Sequence, residues 1–486
     1  MNEFVYRFRT IDALLGDRQE LAKQVVYFAS LPQLNDPLEG FRDVVWQRDG
    51  ILWRNLFRNF MRTFHAAHAL APIFYDVPTQ EWMTGAVNVA FHTPDAPIKR
   101  ELEEVAATFL ESALVKRLAD KLAEQARPIR RGELLFLLRM LHPFAMQVSA
   151  MTLLSNAKQS LLSINDEWIQ QATTTLETLI DLPPPPPELA EELYNDNEVM
   201  SLQLQLINAA SGVEHPPAAL FLVADFAPHF VEAMIAMTYP DLYVASFVES
   251  PDNAAMWSAY ADNHAGVCLK FRTRETEDHL RTLTLSSHRN WSWKQGGALE
   301  ERRTFGPVVF SAVRYDTEFP EIPFFDSLGQ QSIHHLNQHW HAEDGVMSPA
   351  ADALKGEAEE WRNAYWRRFE GCINRKTPHW AHERELRLML YSSLQPFDTI
   401  ESRCINYQFE DLAGIVFGLR TSLADKVRIL KVIEEKCIAS GRADFELSQA
   451  THSNRTLDIE TRPFKLIKFE DKRDPASSGS LKARTE

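Results

Sequence analysis

Residues 241–272, DLYVASFVESPDNAAMWSAYADNHAGVCLKFR, compress strand, helix and strand into one short stretch, and that restricts the chain to folds in which a sheet carries a brief crossing helix. The run 243–248 is β-branched and aromatic, as a strand prefers. Ser250 followed by Pro251 reads as a helix N-cap with proline at the first helical position. Met256, Trp257 and Tyr260 then fall on one helical stripe. Gly266 releases the chain into a second strand, with Val267, Leu269 and Phe271 on one face and Cys268 and Lys270 on the other. On its simplest reading the stretch is core structure. Its polar-tipped aromatics, Trp257 and Tyr260, are also candidates for lining a ligand pocket beside the strand ends.

The flanking segments extend this pattern. Residues 4–8 alternate, Phe4, Tyr6 and Phe8 against Val5 and Arg7, and residues 25–30 read as a second strand. In Leu34-Asn35-Asp36-Pro37-Leu38-Glu39, Asp36 can cap a helix that Pro37 opens, with Glu39 reaching back as the third residue of a capping box. Asn35 has no part in that explanation and is a candidate ligand-binding residue. Residues 53–237 change to long Ala/Leu/Glu/Lys/Arg segments at helical spacing. The expected architecture is α+β: a mixed or antiparallel sheet core with flanking helices, split between 1–50 and 240–470, plus a mainly α-helical insert at 51–239 and a disordered tail at 471–486. Residues 273–306 are expected to form a long surface excursion.

Composition narrows the functional classes. Four cysteines stand far apart with no C-x-x-C spacing, so neither a disulfide framework nor a zinc knuckle is expected. His335 and His339 share a helix face at i, i+4, but a solvated polar face explains them, and no metal is expected. Charge interrupts each apolar run, which points away from a membrane and toward a cytoplasmic protein. A formal charge of −16 opposes non-specific binding to nucleic acid.

The residues that invite chemistry lie in His382-Glu383-Arg384-Glu385-Leu386-Arg387. If this opens a strand, Glu383, Glu385 and Arg387 project to one side, and a carboxylate pair can divide charge stabilisation from proton transfer. The alternative is a structural ion pair of either glutamate with Arg387 or Arg7. Lys376, just upstream, can add an anion-binding edge.

The VYRFR opening, the LNDPLEG turn, MWSAYADNHAGVCLKF, the VRY strand, KTPHWAHERELR and IVFG occur here in an order that resembles the bacterial family known as domain of unknown function 2971. The resemblance covers residues 1–50 and 240–470. It implies a bacterial, cytoplasmic protein, with some members tied to phage defence, and it implies no activity. Arg7, Ser246 and Glu385 are also similar in order and strand context to the NAD-holding arginine, middle-strand serine and late-strand glutamate of arginine-directed ADP-ribosyltransferases. That likeness implies a cleft in which Arg7 grips the pyrophosphate, Glu385 holds the nicotinamide ribose and Glu383 deprotonates the acceptor. Two functions follow. One is an enzyme acting on NAD or another nucleotide-like ligand, with Glu383 and Glu385 catalytic and Arg7, Asn35, Ser246, Trp257, Tyr260 and Lys376 binding. The other is a non-catalytic recognition protein whose helical insert binds a protein partner.

Overall fold

The computed structural model describes residues 3–75, 87, 96–163, 165–211, 216–293, 299–354, 358–392, 397–455 and 458–469. The expected tail at 471–486 lies outside them. The fold is α+β with a mixed sheet. The chain forms two units: Met1–Gly40, Asp241–Glu318 and Ile373–Glu486 in the first, Phe41–Pro240 and Phe319–Cys372 in the second.

A nine-stranded sheet organises the first unit. Its strands are β1 (Phe4–Arg9), β2 (Ala29–Ser30), β3 (Leu242–Val248), β4 (Val267–Arg272), β5 (Ser311–Ala312), β6 (Glu385–Tyr391), β7 (Leu412–Phe417), β8 (Glu446–His452) and β9 (Ile459–Pro463). They lie in the order β5-β6-β3-β1-β4-β7-β8-β9, with β2 also paired to β3. Neighbours are antiparallel except β7 and β8. That parallel pair is bridged by the helix Leu423–Ser440, because parallel neighbours need a crossover. Gly414 makes this close pairing feasible, since a Cβ there would lie 2.4 Å from the Glu446 carbonyl oxygen.

Alternation along the strands divides the apolar side chains between two faces. Val5, Phe247, Leu269, Phe271, Leu388 and Ile415 join one buried cluster with Ile429 and Ile433 of the bridging helix. Phe8, Val248 and Cys268 join Met256 and Trp257 in the other.

One irregularity in this sheet creates space. β1 pairs with β4 along its length, from Phe4 opposite Arg272 to Arg9 opposite Val267, but meets β3 only at Tyr6 opposite Val248. Further along β3, Ala29 and Ser30 of β2 take over at Val244 and Tyr243. Between these two partners β1 and β3 part, and a cleft opens.

Local geometry departs from expectation in three places. The helix after β3 is Ala254–Tyr260, capped by Asn253, whose Oδ1 accepts from the amide of Ala255 at 2.9 Å; Ser250 is not the cap. Residues 281–309 are no loose excursion: strands Arg281–Trp293 and Leu299–Val309 pair antiparallel. Asp36 opens no helix. Its Oδ1 accepts from Leu38 N at 2.9 Å in a turn that ends at Gly40, whose φ of +70° suits glycine.

The second unit is mainly helical. Asp49 caps the helix Gly50–Leu70 through the amides of Ile51 and Leu52. Phe60 and Phe64 of that helix pack edge-on against His142 and Phe226. Two helices, Arg131–Ser155 and Pro217–Thr238, are long and apolar enough to cross a membrane by length and composition, contrary to the expectation that charge interrupts every such run. In this unit 61% and 44% of their apolar windows are buried. His335, His339 and His341 are buried too, instead of forming a solvated face.

Candidate functional site

The cleft between β1 and β3 has a volume of about 300 Å³ and lies wholly within the first unit. Its walls differ in charge.

One wall comes from β1 and the segment after it. Arg7 shares the inward face with Val5 and is 6% exposed. Its Nη2 donates to the Tyr27 carbonyl at 2.6 Å, and the guanidinium lies 5.2 Å from the Phe247 ring centroid. Its Nη1 is buried and has no hydrogen-bond partner. Burial, helped by Arg9, pulls its pKa down to about 9, so it remains charged at neutral pH. Arg9 and Arg18 line the same wall and both reach Glu20, Arg9 through Nε at 2.8 Å and Arg18 through Nε at 3.4 Å. Two of the three guanidiniums therefore share one carboxylate, and the buried one has none.

The other wall is assembled from three distant segments. Glu385 opens β6, and Arg387 follows on the same face, so the pair closes through Arg387 Nε to Glu385 Oε1 at 2.9 Å and Nη2 to Oε2 at 3.0 Å. Glu383 does not belong to that strand. It ends the 3-10 turn Pro378–Glu383, and Arg384, left-handed at φ 47°, redirects the chain between them. Glu383 Oε1 accepts from the Tyr260 hydroxyl at 2.6 Å, and Oε2 accepts from Lys376 Nζ at 2.6 Å. Lys376 also reaches Glu385 Oε2 and Glu39 Oε1, each at 2.8 Å. Arg387 Nη2 completes the cluster with a short bond to Glu39 Oε1.

This is a buried network of three carboxylates and two cations, with one negative charge in excess. Burial alone would raise Glu385, but Arg387 and Lys376 outweigh it and hold the group down to about 2. Burial would lower Lys376, yet Glu385, Glu39 and Glu383 together push it up. Glu39 moves the opposite way from Glu385: burial dominates and raises it despite both cations. Burial and then the Glu383 carboxylate raise the Tyr260 phenol. Such networks contribute little net stability, but removing one member leaves a buried unpaired charge and costs about 3–5 kcal/mol.

Of the candidates read from sequence, Arg7, Asn35, Ser246, Tyr260, Lys376, Glu383 and Glu385 all line this one cleft. Trp257 does not. It is fully buried, donates Nε1–H to the Pro251 carbonyl at 2.7 Å and packs edge-on to Phe8 at 4.9 Å. The ion pair foreseen for Arg387 forms with Glu385, and Arg7 stays out of it. Glu39 was missed because Asp36-Pro37 mimics a helix start; the glycine directly after it was the available sign of a turn. No cluster of metal-ligating side chains occurs among the described residues.

Residues 256–388 match the family described as protein of unknown function (DUF2971). The match takes in the helix Ala254–Tyr260 from its third residue, Lys376, Glu383 and Glu385, and it supports the resemblance read from the sequence. No curated protein and no solved structure matches the chain.

Proposed function

We propose that the first unit binds a small phosphorylated, nucleotide-like ligand in the cleft between β1 and β3. The observation that carries this reading is Arg7. A buried guanidinium is costly unless paired, and here one Nη has no partner while flanking arginines already share the nearest carboxylate. A phosphate matches the fork of an arginine in charge and geometry. The cleft volume is at the lower end for ligand sites, room for a mononucleotide-sized group rather than an entire dinucleotide.

Binding is better supported than transfer of an ADP-ribosyl group. That chemistry asks Glu385 to face a developing cation with its charge available, and both its oxygens are engaged by Arg387 and Lys376. NAD remains a ligand to be tested, since its nicotinamide mononucleotide half is of suitable size. The test is calorimetry or thermal shift with phosphate, AMP, ADP-ribose and NAD against adenosine, on wild type and Arg7→Met. The phosphorylated compounds should bind wild type and fail on the variant. No binding by any of them removes the proposal.

A second reading, recognition of a protein partner, draws on the helix Pro187–Ala210, where Leu193, Met200, Leu202, Leu206 and Ile207 are exposed. It concerns the other unit and would be weakened if Leu206→Glu and Met200→Glu left solubility and every measured association unchanged.

A further inference from the structure

We propose that Glu39 accepts a hydrogen bond from a hydroxyl of the ligand, which makes the ligand a phosphorylated compound carrying a sugar-like hydroxyl; this rests on the cleft binding a phosphorylated ligand at all.

The six carboxylate oxygens of the cluster are not equally engaged. Glu383 uses Oε1 for Tyr260 and Oε2 for Lys376. Glu385 uses Oε1 for Arg387 and Oε2 for Arg387 and Lys376. Glu39 uses Oε1 for both cations, while its Oε2 accepts no hydrogen bond among the described residues. Five oxygens are engaged and one is not. Glu39 is 8% exposed and lines the cleft. That oxygen is not one of the fully buried unpartnered atoms, so it opens on the cleft that Glu39 lines, where a ligand donor can reach it. An independent feature points to the same occupant: the unpartnered Nη1 of Arg7 belongs to the same cleft.

The donor's nature follows from its surroundings. Lys376 Nζ lies 2.8 Å from Glu39 Oε1, and Arg387 is closer still, so both cations of the cluster already face this carboxylate and a neutral donor suffices for its second oxygen. A ligand hydroxyl is such a donor. Glu39 was contributed by the loop before Gly40, not by the sheet, so a ligand anchored at both ends would tie that loop to β1 and β6.

The test compares AMP with 2′,3′-dideoxy-AMP and inorganic phosphate by calorimetry. Wild type should prefer AMP over the dideoxy compound by about tenfold or more, the scale of one hydrogen bond to a charged acceptor. Glu39→Gln should bring the two nucleotides within about threefold while phosphate binding persists, because a side-chain amide cannot replace a carboxylate held between two cations. Equal binding of both nucleotides by wild type overturns the role of Glu39 and leaves the phosphate site standing; that comparison needs no variant, so a misfolded Glu39→Gln does not shield the proposal. Undiminished discrimination in a folded Glu39→Gln also overturns it. Failure of AMP and phosphate alike on wild type overturns the underlying reading and this inference with it.

Discussion

The Tyr260 hydroxyl donates to Glu383 Oε1 at 2.6 Å, tying the helix Ala254–Tyr260 to the turn that precedes β6. Two segments more than a hundred residues apart in sequence are thereby joined at the floor of one cleft. Tyr260→Phe removes the donor and leaves a buried carboxylate oxygen unsatisfied, at an expected cost of about 1–3 kcal/mol in chemical denaturation. It should also weaken ligand binding. Trp257→Phe, three residues earlier and outside the cleft, should cost a similar amount through its lost bond to Pro251 and leave ligand affinity unchanged. Equal effects of both variants on affinity would break this distinction.

Arg7→Met separates stability from binding. The substitution sacrifices the bond to Tyr27 and the packing on Phe247, but it also removes a buried charge with no carboxylate partner. The variant is expected to melt no lower than wild type without ligand, and to show no shift with AMP. A marked loss of thermal stability in the unliganded variant would mean that Arg7 is structural.

Lys376→Met leaves Glu39 and Glu385 with Arg387 alone, and Glu383 with the Tyr260 hydroxyl and no cation. The expected destabilisation at neutral pH is about 3–5 kcal/mol. Glu39 is already raised by burial, so it gains a proton more readily in the folded variant than in the unfolded chain. The folded state then binds more protons, stability rises as pH falls, and the deficit should shrink on acidification. Denaturation midpoints of both proteins across neutral to mildly acid pH check this; a constant deficit contradicts it.

The second unit should carry its own acid response. His68 is held down to about 4 by burial and by His65, and its Nδ1 lies 2.9 Å from Ser149 Oγ. His142 is also held down to about 4 by burial, with Nε2 bonded to the Leu222 carbonyl at 2.6 Å. Both have folded values below the unfolded 6.5, so the unfolded chain binds more protons between these limits. Their contribution is fully present above 6.5 and is lost as pH falls toward 4, about 3 kcal/mol for each. His142→Gln should flatten the pH dependence of unfolding in that window, and an unchanged slope would rule the residue out as its source.

How far the chain could be read before folding depends on the distance over which each feature is encoded. The α+β class, β1, β3 and β4 with their facing residues, and the Ala254–Tyr260 helix are written in alternation and stripe, which neighbouring residues settle among themselves. The charged candidates from Arg7 to Glu385 were recognisable by residue type and strand context. What no local pattern contains is the parting of β1 from β3, because strand register is a property of pairs from remote segments. Nor could it foretell that left-handed Arg384 sets Glu383 apart from β6, or that Glu39 turns from its own loop to meet Arg387 almost 350 positions later. Those outcomes belong to tertiary structure, because burial forces each charge to find partners and the fold alone decides which partners are near.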